Sequence, residues 1–127
     1  MKKKEITKTV FNILKNYGLN QNHSKITTHY IVKAELLGAS SHGLSRLKMY
    51  CDRLKKNIIN PTPKIKIKKI SQSISHVDAN NSIGFVAADI GIKLAIKQAK
   101  KSGLALVGIK NSNHFGLSSF YVEQAVK

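Results

Sequence analysis

At Asn60-Pro61-Thr62-Pro63 the apolar residues of this chain change period, and that switch limits the folds open to it. Before it the spacing is helical. Ile6, Val10, Ile13 and Tyr17 predict a helix over 4–17 that Gly18 stops, and Ile26, Tyr30, Ala34 and Leu37 predict a second over 24–37. Ser24 is its expected N-cap and Gly38 lies just past its end. The turn Ala39-Ser40-Ser41 leads into a third helix expected over 42–56. After Pro63 the period falls to two. Lys64-Ile65-Lys66-Ile67-Lys68 alternates as a half-buried strand does, and Ile74–Asp78 is a second strand. A helix is expected over 83–101 and ended by Gly103. The apolar run Leu104–Ile109 has the character of a strand covered on both faces. A final helix begins near Leu117.

The expected fold class is therefore α/β. A three-helix segment over 1–60 is followed by the start of an α/β layer over 61–127, with about three strands and two helices, both parts of one truncated domain. A sheet that stops there has an open edge. The run Leu104–Ile109 would then be left as apolar surface.

Composition narrows the function. Apolar residues make up 42% of the 127, enough for a core. The 22 basic residues against 6 acidic give a net charge of +16, which raises a polyanionic partner as one explanation. The basic residues, however, are 20 Lys and only 2 Arg, beside 15 Ile and 10 Asn, and Lys, Ile and Asn all have A/T-rich codons. That pattern points to drift in an AT-rich genome. Nucleic-acid sites favour Arg forks and aromatic platforms, and aromatics are only 6% here. Cys51 is the sole cysteine, so no intrachain disulfide or thiolate zinc cluster can form. No apolar run reaches the ~18–20 residues of a membrane span, and no h-region follows the basic N-terminus. A cytoplasmic protein without a membrane partner is expected. No HExxH, GxGxxG or GxxxxGK[ST] pattern is present, so no metal ligand is assigned.

Two segments could carry chemistry. On one helix advancing about 100° per residue, His42, Arg46 and Tyr50 fall at about 0°, 40° and 80°, apart from the stripe of Leu44, Leu47, Cys51 and Leu54. An imidazole, a guanidinium and a phenol one turn apart suit an anionic substrate. Arg holds a carboxylate in a fork, His moves a proton near neutral pH, and Ser41 can orient the ring. A solvated helix face is the plainer reading. The second segment, Asn111-Ser112-Asn113-His114-Phe115-Gly116, lies between a strand and a helix, where open α/β sheets bind ligands and a helix N-terminus offers amides to an anion. An ordinary turn is the plainer reading there.

AELLGASSHGLSRLKMY and GLALVGIKNSNHFGLSSFY, in that order, resemble the two signatures of the malate/L-lactate dehydrogenase family, which also holds ureidoglycolate, sulfolactate and diketogulonate-type oxidoreductases. NPTPKI and the IGFVAA helix fall at matching places. The resemblance implies the N-terminal portion of that family's own α/β fold, distinct from the Rossmann fold. It implies NAD- or NADP-dependent interconversion of small 2-hydroxy and 2-oxo acids. His42 would exchange the proton at the substrate oxygen, Ser41 would support it, and Arg46, with Tyr50 nearby, would bind the carboxylate. His114, Phe115, Gly116, Leu117 and Ser118 would contact the dinucleotide, and His114 is a second acid/base candidate. Members are well over twice this length, so a truncated or split product, inactive alone, is expected. A second chain completing the fold, or a homodimer, would then be its partner. The alternative is a basic nucleic-acid-binding or interaction module on a relic scaffold.

If the Lys excess is drift, duplex DNA binds weakly at physiological salt. Tight binding whose logarithm falls by about 0.9 per phosphate contact per log unit of salt would overturn that reading.

Overall fold

A computed structural model describes residues 2–126. The chain divides into two compact units, Met1–Thr62 and Pro63–Lys127.

The first unit is helical. α1 (Lys3–Asn16) buries Val10 and Leu14, while Tyr17 at its end is largely exposed. The amide of Lys2 donates to the carboxylate of Glu5 at 2.9 Å and closes the first turn. α2 (Gln21–Leu36) begins earlier than the apolar spacing implies. Its N-cap is Asn20, whose Oδ1 accepts from the His23 amide at 2.8 Å. Ser24, the expected cap, lies inside the helix, fully buried, with its hydroxyl donating to the Leu19 carbonyl at 3.3 Å. Tyr30, Ile31 and Ala34 fill the interior with Leu14, Leu19 and Ile59. Gly18 and Gly38 both take left-handed φ, +95° and +76°, where the helices stop.

The expected single helix over 42–56 is instead two 3-10 turns, Ser40–His42 and Leu44–Arg46, followed by α3 (Leu47–Lys55). Cys51 lies on the buried side of α3, and burial pushes its thiol pKa up, so it packs as a small hydrophobe.

The second unit is a three-stranded sheet in the order β1-β2-β3, with helices α4 (Gly84–Ser102) and α5 (Ser119–Val126). β1 (Lys66–Lys69) pairs antiparallel with β2 (Ile74–Ser82), and β2 pairs parallel with β3 (Leu106–Ser112) through α4. β2 is central and alternates, with Ser75, Val77 and Ala79 buried and His76 exposed. β1 is not half-buried: every residue in it is exposed, Ile67 included, as suits a short strand at the edge of the sheet. Leu104 and Leu106 are 66% and 62% exposed, so the run Leu104–Ile109 is apolar surface and not a strand covered on both faces. α4 lies on β2 and β3. Gln98 Nε2 donates to Ser75 Oγ at 2.8 Å, and a Cβ on Gly91 would sit 2.6 Å from Ile109 Cδ1. Among the described residues, no helix is long and apolar enough to cross a membrane, and no three His, Cys, Asp or Glu side chains gather around a metal position.

Between Asp78 and Ser82 the register of β2 shifts, and Asn80 and Asn81 take φ of +50° and +57°. Asn tolerates this region better than other non-glycine residues. Asn80 also puts its side chain to use, with Oδ1 accepting from the Lys64 amide at 3.0 Å. Replacing Asn81 by Gly should leave thermal stability unchanged or raise it by up to about 1 kcal/mol. Asn81→Val should lower it by about 1–2 kcal/mol, since a β-branched residue strains in the left-handed region. Equal melting temperatures for the two variants would show that the turn is not strained.

Candidate functional site

The loop that follows α2 is built from the backbone outward. The Ala39 amide reaches back to the Ala34 carbonyl at 3.0 Å, and His42, Gly43 and Arg46 each donate to the carbonyl three residues earlier. Glu35, in the last turn of α2, accepts the Leu44 amide on Oε2 at 2.9 Å and ties the second 3-10 turn to the helix end. Gly43 makes that approach feasible. A Cβ there would overlap the Glu35 carboxylate and lie 3.0–3.1 Å from the Glu35 backbone.

On this scaffold Ser41 Oγ sits 3.0 Å from His42 Nδ1, and Arg46 Nε donates to the Ser41 carbonyl at 2.7 Å. Ser45 Oγ donates to the Ser40 carbonyl at 2.5 Å. Ser41 and Arg46 are exposed and His42 is half-buried. Serine, imidazole and guanidinium are thus held by one another within six residues.

Tyr50 does not join them on a solvent-facing stripe. It is 0% exposed, and burial pushes its phenol pKa up to about 12 although the Arg46 and Arg53 charges pull the other way. The 3-10 turns advance about 120° per residue, so angles reckoned on one α-helix from His42 do not hold at Tyr50.

In the second unit, β3 ends at Ser112 and leads through Asn113–Ser118 to α5. Asn113 Nδ2 donates to the carbonyls of Asn81 and Ser82 at 3.3 and 3.2 Å, clamping the loop to the end of β2. Gly84 lies against the same loop: a Cβ there would overlap the carbonyls of Asn113 and His114. Gly116 has φ of +78°, and a Cβ on it would stand 2.5 Å from the Phe85 ring. The Gly116 amide donates to His114 Nδ1 at 3.4 Å, and Tyr121 OH donates to the Phe115 carbonyl at 2.6 Å. The Phe115 and Tyr121 rings are 5.8 Å apart. Phe115 is 44% exposed, Ser118 is exposed, and His114, Gly116 and Leu117 are half-buried. Behind the loop, Asn111 Nδ2 and the Asn80 amide donate to Asp78, holding its carboxyl below the usual range with Lys110 adding to the effect.

Gly84, Asn113 and Tyr121 fix the second loop, a mechanical role that apolar spacing does not reveal. Gly84 opens a helix, where a glycine has no propensity reason to be, and that was its available signal.

The malate/L-lactate dehydrogenase family model matches residues 1–127. The chain belongs to the malate/L-lactate dehydrogenase family. It is 39% identical over 118 residues to the malate/(S)-sulfolactate dehydrogenase of Methanothermus fervidus, covering 93% of this chain and 35% of that protein. It is 34% identical over 110 residues to the ureidoglycolate dehydrogenase (NAD(+)) of Escherichia coli strain K12, covering 87% of this chain and 32% of the relative. The solved sulfolactate dehydrogenase of Methanocaldococcus jannaschii superposes with a TM-score of 0.93 at 37% identity, over 98% of this chain and 36% of that one. The chain therefore spans about a third of the length of the curated relatives it matches. Its helices and small sheet are a partial form of the family fold.

Removing the Glu35 acceptor leaves the Leu44 amide without its partner. Glu35→Ala should destabilise the first unit by about 1–3 kcal/mol, and Glu35→Gln, which keeps an oxygen, by clearly less. Denaturant midpoints check this, and equal losses for the two variants would dismiss the hydrogen bond as the cause.

Proposed function

We propose that this chain supplies the proton-transfer and carboxylate-binding residues of an NAD- or NADP-dependent dehydrogenase acting on small 2-hydroxy and 2-oxo acids. The observation that carries this reading is the contact of Ser41 Oγ with His42 Nδ1 while the Ser41 carbonyl holds Arg46. One residue thereby positions both an acid/base and a cation.

In the proposed mechanism Ser41 fixes the His42 ring through Nδ1, and Nε2 exchanges a proton with the substrate oxygen. As a 2-hydroxy acid is oxidised, His42 takes the hydroxyl proton; in the reverse direction it returns a proton to the carbonyl oxygen. Arg46 is anchored through Nε, and its pair of Nη donors forms the carboxylate fork. Tyr50, fully buried, feels the Arg46 charge from the interior and does not reach the carboxylate itself. The second loop suits a dinucleotide: it offers the exposed Phe115 face, the exposed Ser118 and the N-terminus of α5. His114, Phe115, Gly116, Leu117 and Ser118 would hold it, with His114 the second acid/base candidate. When bound, the nicotinamide supplies the hydride chemistry. A relative named for NAD(+) supports that cofactor class. The relatives' further length supports residues beyond these 127 as the means of completing the site.

Nicotinamide absorbance tests the proposal. The 127-residue chain alone should show no turnover with malate, lactate or their oxo acids. Joined to the remaining two thirds of a relative it should turn over, and His42→Asn in that fusion should lower kcat by about 10²–10⁴. Arg46→Lys should raise KM, because an ammonium cannot form the fork. Turnover by the isolated chain would refute its incompleteness, and an unaffected His42→Asn fusion would refute the site.

A further inference from the structure

α1 and α2 leave a trough of about 940 Å³ on the surface of the first unit. Phe11 of α1, Val32 and Leu36 of α2 and Leu37 at its C-cap give it an apolar lining, and Leu36 and Leu37 are 54% and 66% exposed. From Lys25 through Thr28, Val32 and Leu36, the α2 wall keeps one helical face over twelve residues, about 16 Å. This is a second packing face on α2, beside the one that turns Tyr30, Ile31 and Ala34 into the core. A helix with apolar residues on two faces needs a neighbour on each. A groove between two helices receives a third by interlocking ridges.

The electrostatics choose the neighbour. Lys3, Lys4 and Lys8 stand along the α1 wall and Lys25 and Lys33 along the α2 wall, and among the described residues no carboxylate lines the trough. The nearby acids are engaged elsewhere: Glu5 accepts the Lys2 amide and Glu35 the Leu44 amide. Thr28 also lines the trough. It is 2% exposed, and its buried hydroxyl has no hydrogen-bond partner. Lysines on both walls along the length of the trough match a ligand with negative charge on both flanks, and not an acyl chain with one carboxylate at its end. The chain cannot fill the trough with another copy's helix of that kind, since its six acidic residues are spread one to an element and no helix carries two.

We propose that the α1–α2 trough docks an amphipathic helix with an apolar stripe and acidic flanks, supplied from outside these 127 residues. This stands apart from the dehydrogenase reading, because none of the residues involved belongs to the proposed catalytic or cofactor loops.

The probe is a fluorescein-labelled synthetic helix of about 14 residues, with Leu at i, i+3, i+4, i+7 and Glu on both flanks, followed by anisotropy against the 127-residue chain. Two control peptides replace the Leu stripe by Ser or the Glu flanks by Lys. Binding should require both the stripe and the flanks. Leu36→Glu should weaken it about tenfold or more, whereas Lys68→Gln on β1, with the same change in net charge, should weaken it less than about threefold. Leu36 is already exposed, so its substitution spares the core. Circular dichroism should confirm unchanged helicity. The proposal is overturned if the Ser-stripe peptide binds equally well, if both variants weaken binding alike, if the probe does not bind, or if dodecanoate displaces it at a stoichiometry of one per trough.

Discussion

The loop that carries Ser41, His42 and Arg46 hangs on a carboxylate accepting one amide. Glu35 Oε2 takes the Leu44 N–H at 2.9 Å, and Gly43 lets the two backbones approach closely enough for it to do so. An acidic side chain at the C-terminal end of a helix works against the helix dipole. Here the loop amide offsets that disadvantage, and two 3-10 turns replace the start of what would otherwise be a continuous helix. Without those turns, His42 and Arg46 would follow α-helical spacing. With them, both residues converge on Ser41, one on its hydroxyl and the other on its carbonyl.

The second unit solves a similar problem by other means. Two consecutive asparagines in the left-handed region bend the end of β2, and their neighbourhood gathers the loop after β3. The Asn113 side chain bridges to two successive carbonyls there, while glycines at 84 and 116 remove the atoms that would hold the loop away from α4. Each loop rests on a close backbone approach that a side chain would block, and on one polar side chain that holds the approach in place.

The sequence announced these features unevenly. Helix stops were plain because Gly18, Gly38 and Gly103 take left-handed φ that other residues resist. Element order was legible because Pro61 and Pro63 separate two different periodicities. The start of α2 is ambiguous in the sequence because two capping residues, Asn20 and Ser24, stand four apart, and only packing decides which one is buried. An α-helical period puts Tyr50 on the polar stripe, but that period does not hold through residues that form 3-10 turns. The apolar character of Leu106 and Ile109 was visible, but exposure depends on what lies beside a strand, and no local pattern encodes that. Ser41, His42 and Arg46 could be named from their types and spacing, whereas the bonds that join them depend on a turn geometry that spacing leaves open.

The bare edge of β3 gives the lysine excess a physical consequence unrelated to any ligand. Leu104, Leu106 and Ile109 present apolar side chains beside an edge that no strand pairs among the described residues, the arrangement by which sheets of separate molecules join. A net charge of +16 makes copies of the chain repel one another before such edges can meet. That repulsion acts over a Debye length, about 10 Å at 0.1 M salt and about 3 Å at 1 M. Colloidal stability of the chain is therefore set by ionic strength: dilute buffer keeps the edges apart, and concentrated salt withdraws the barrier while leaving the adhesive strand unchanged.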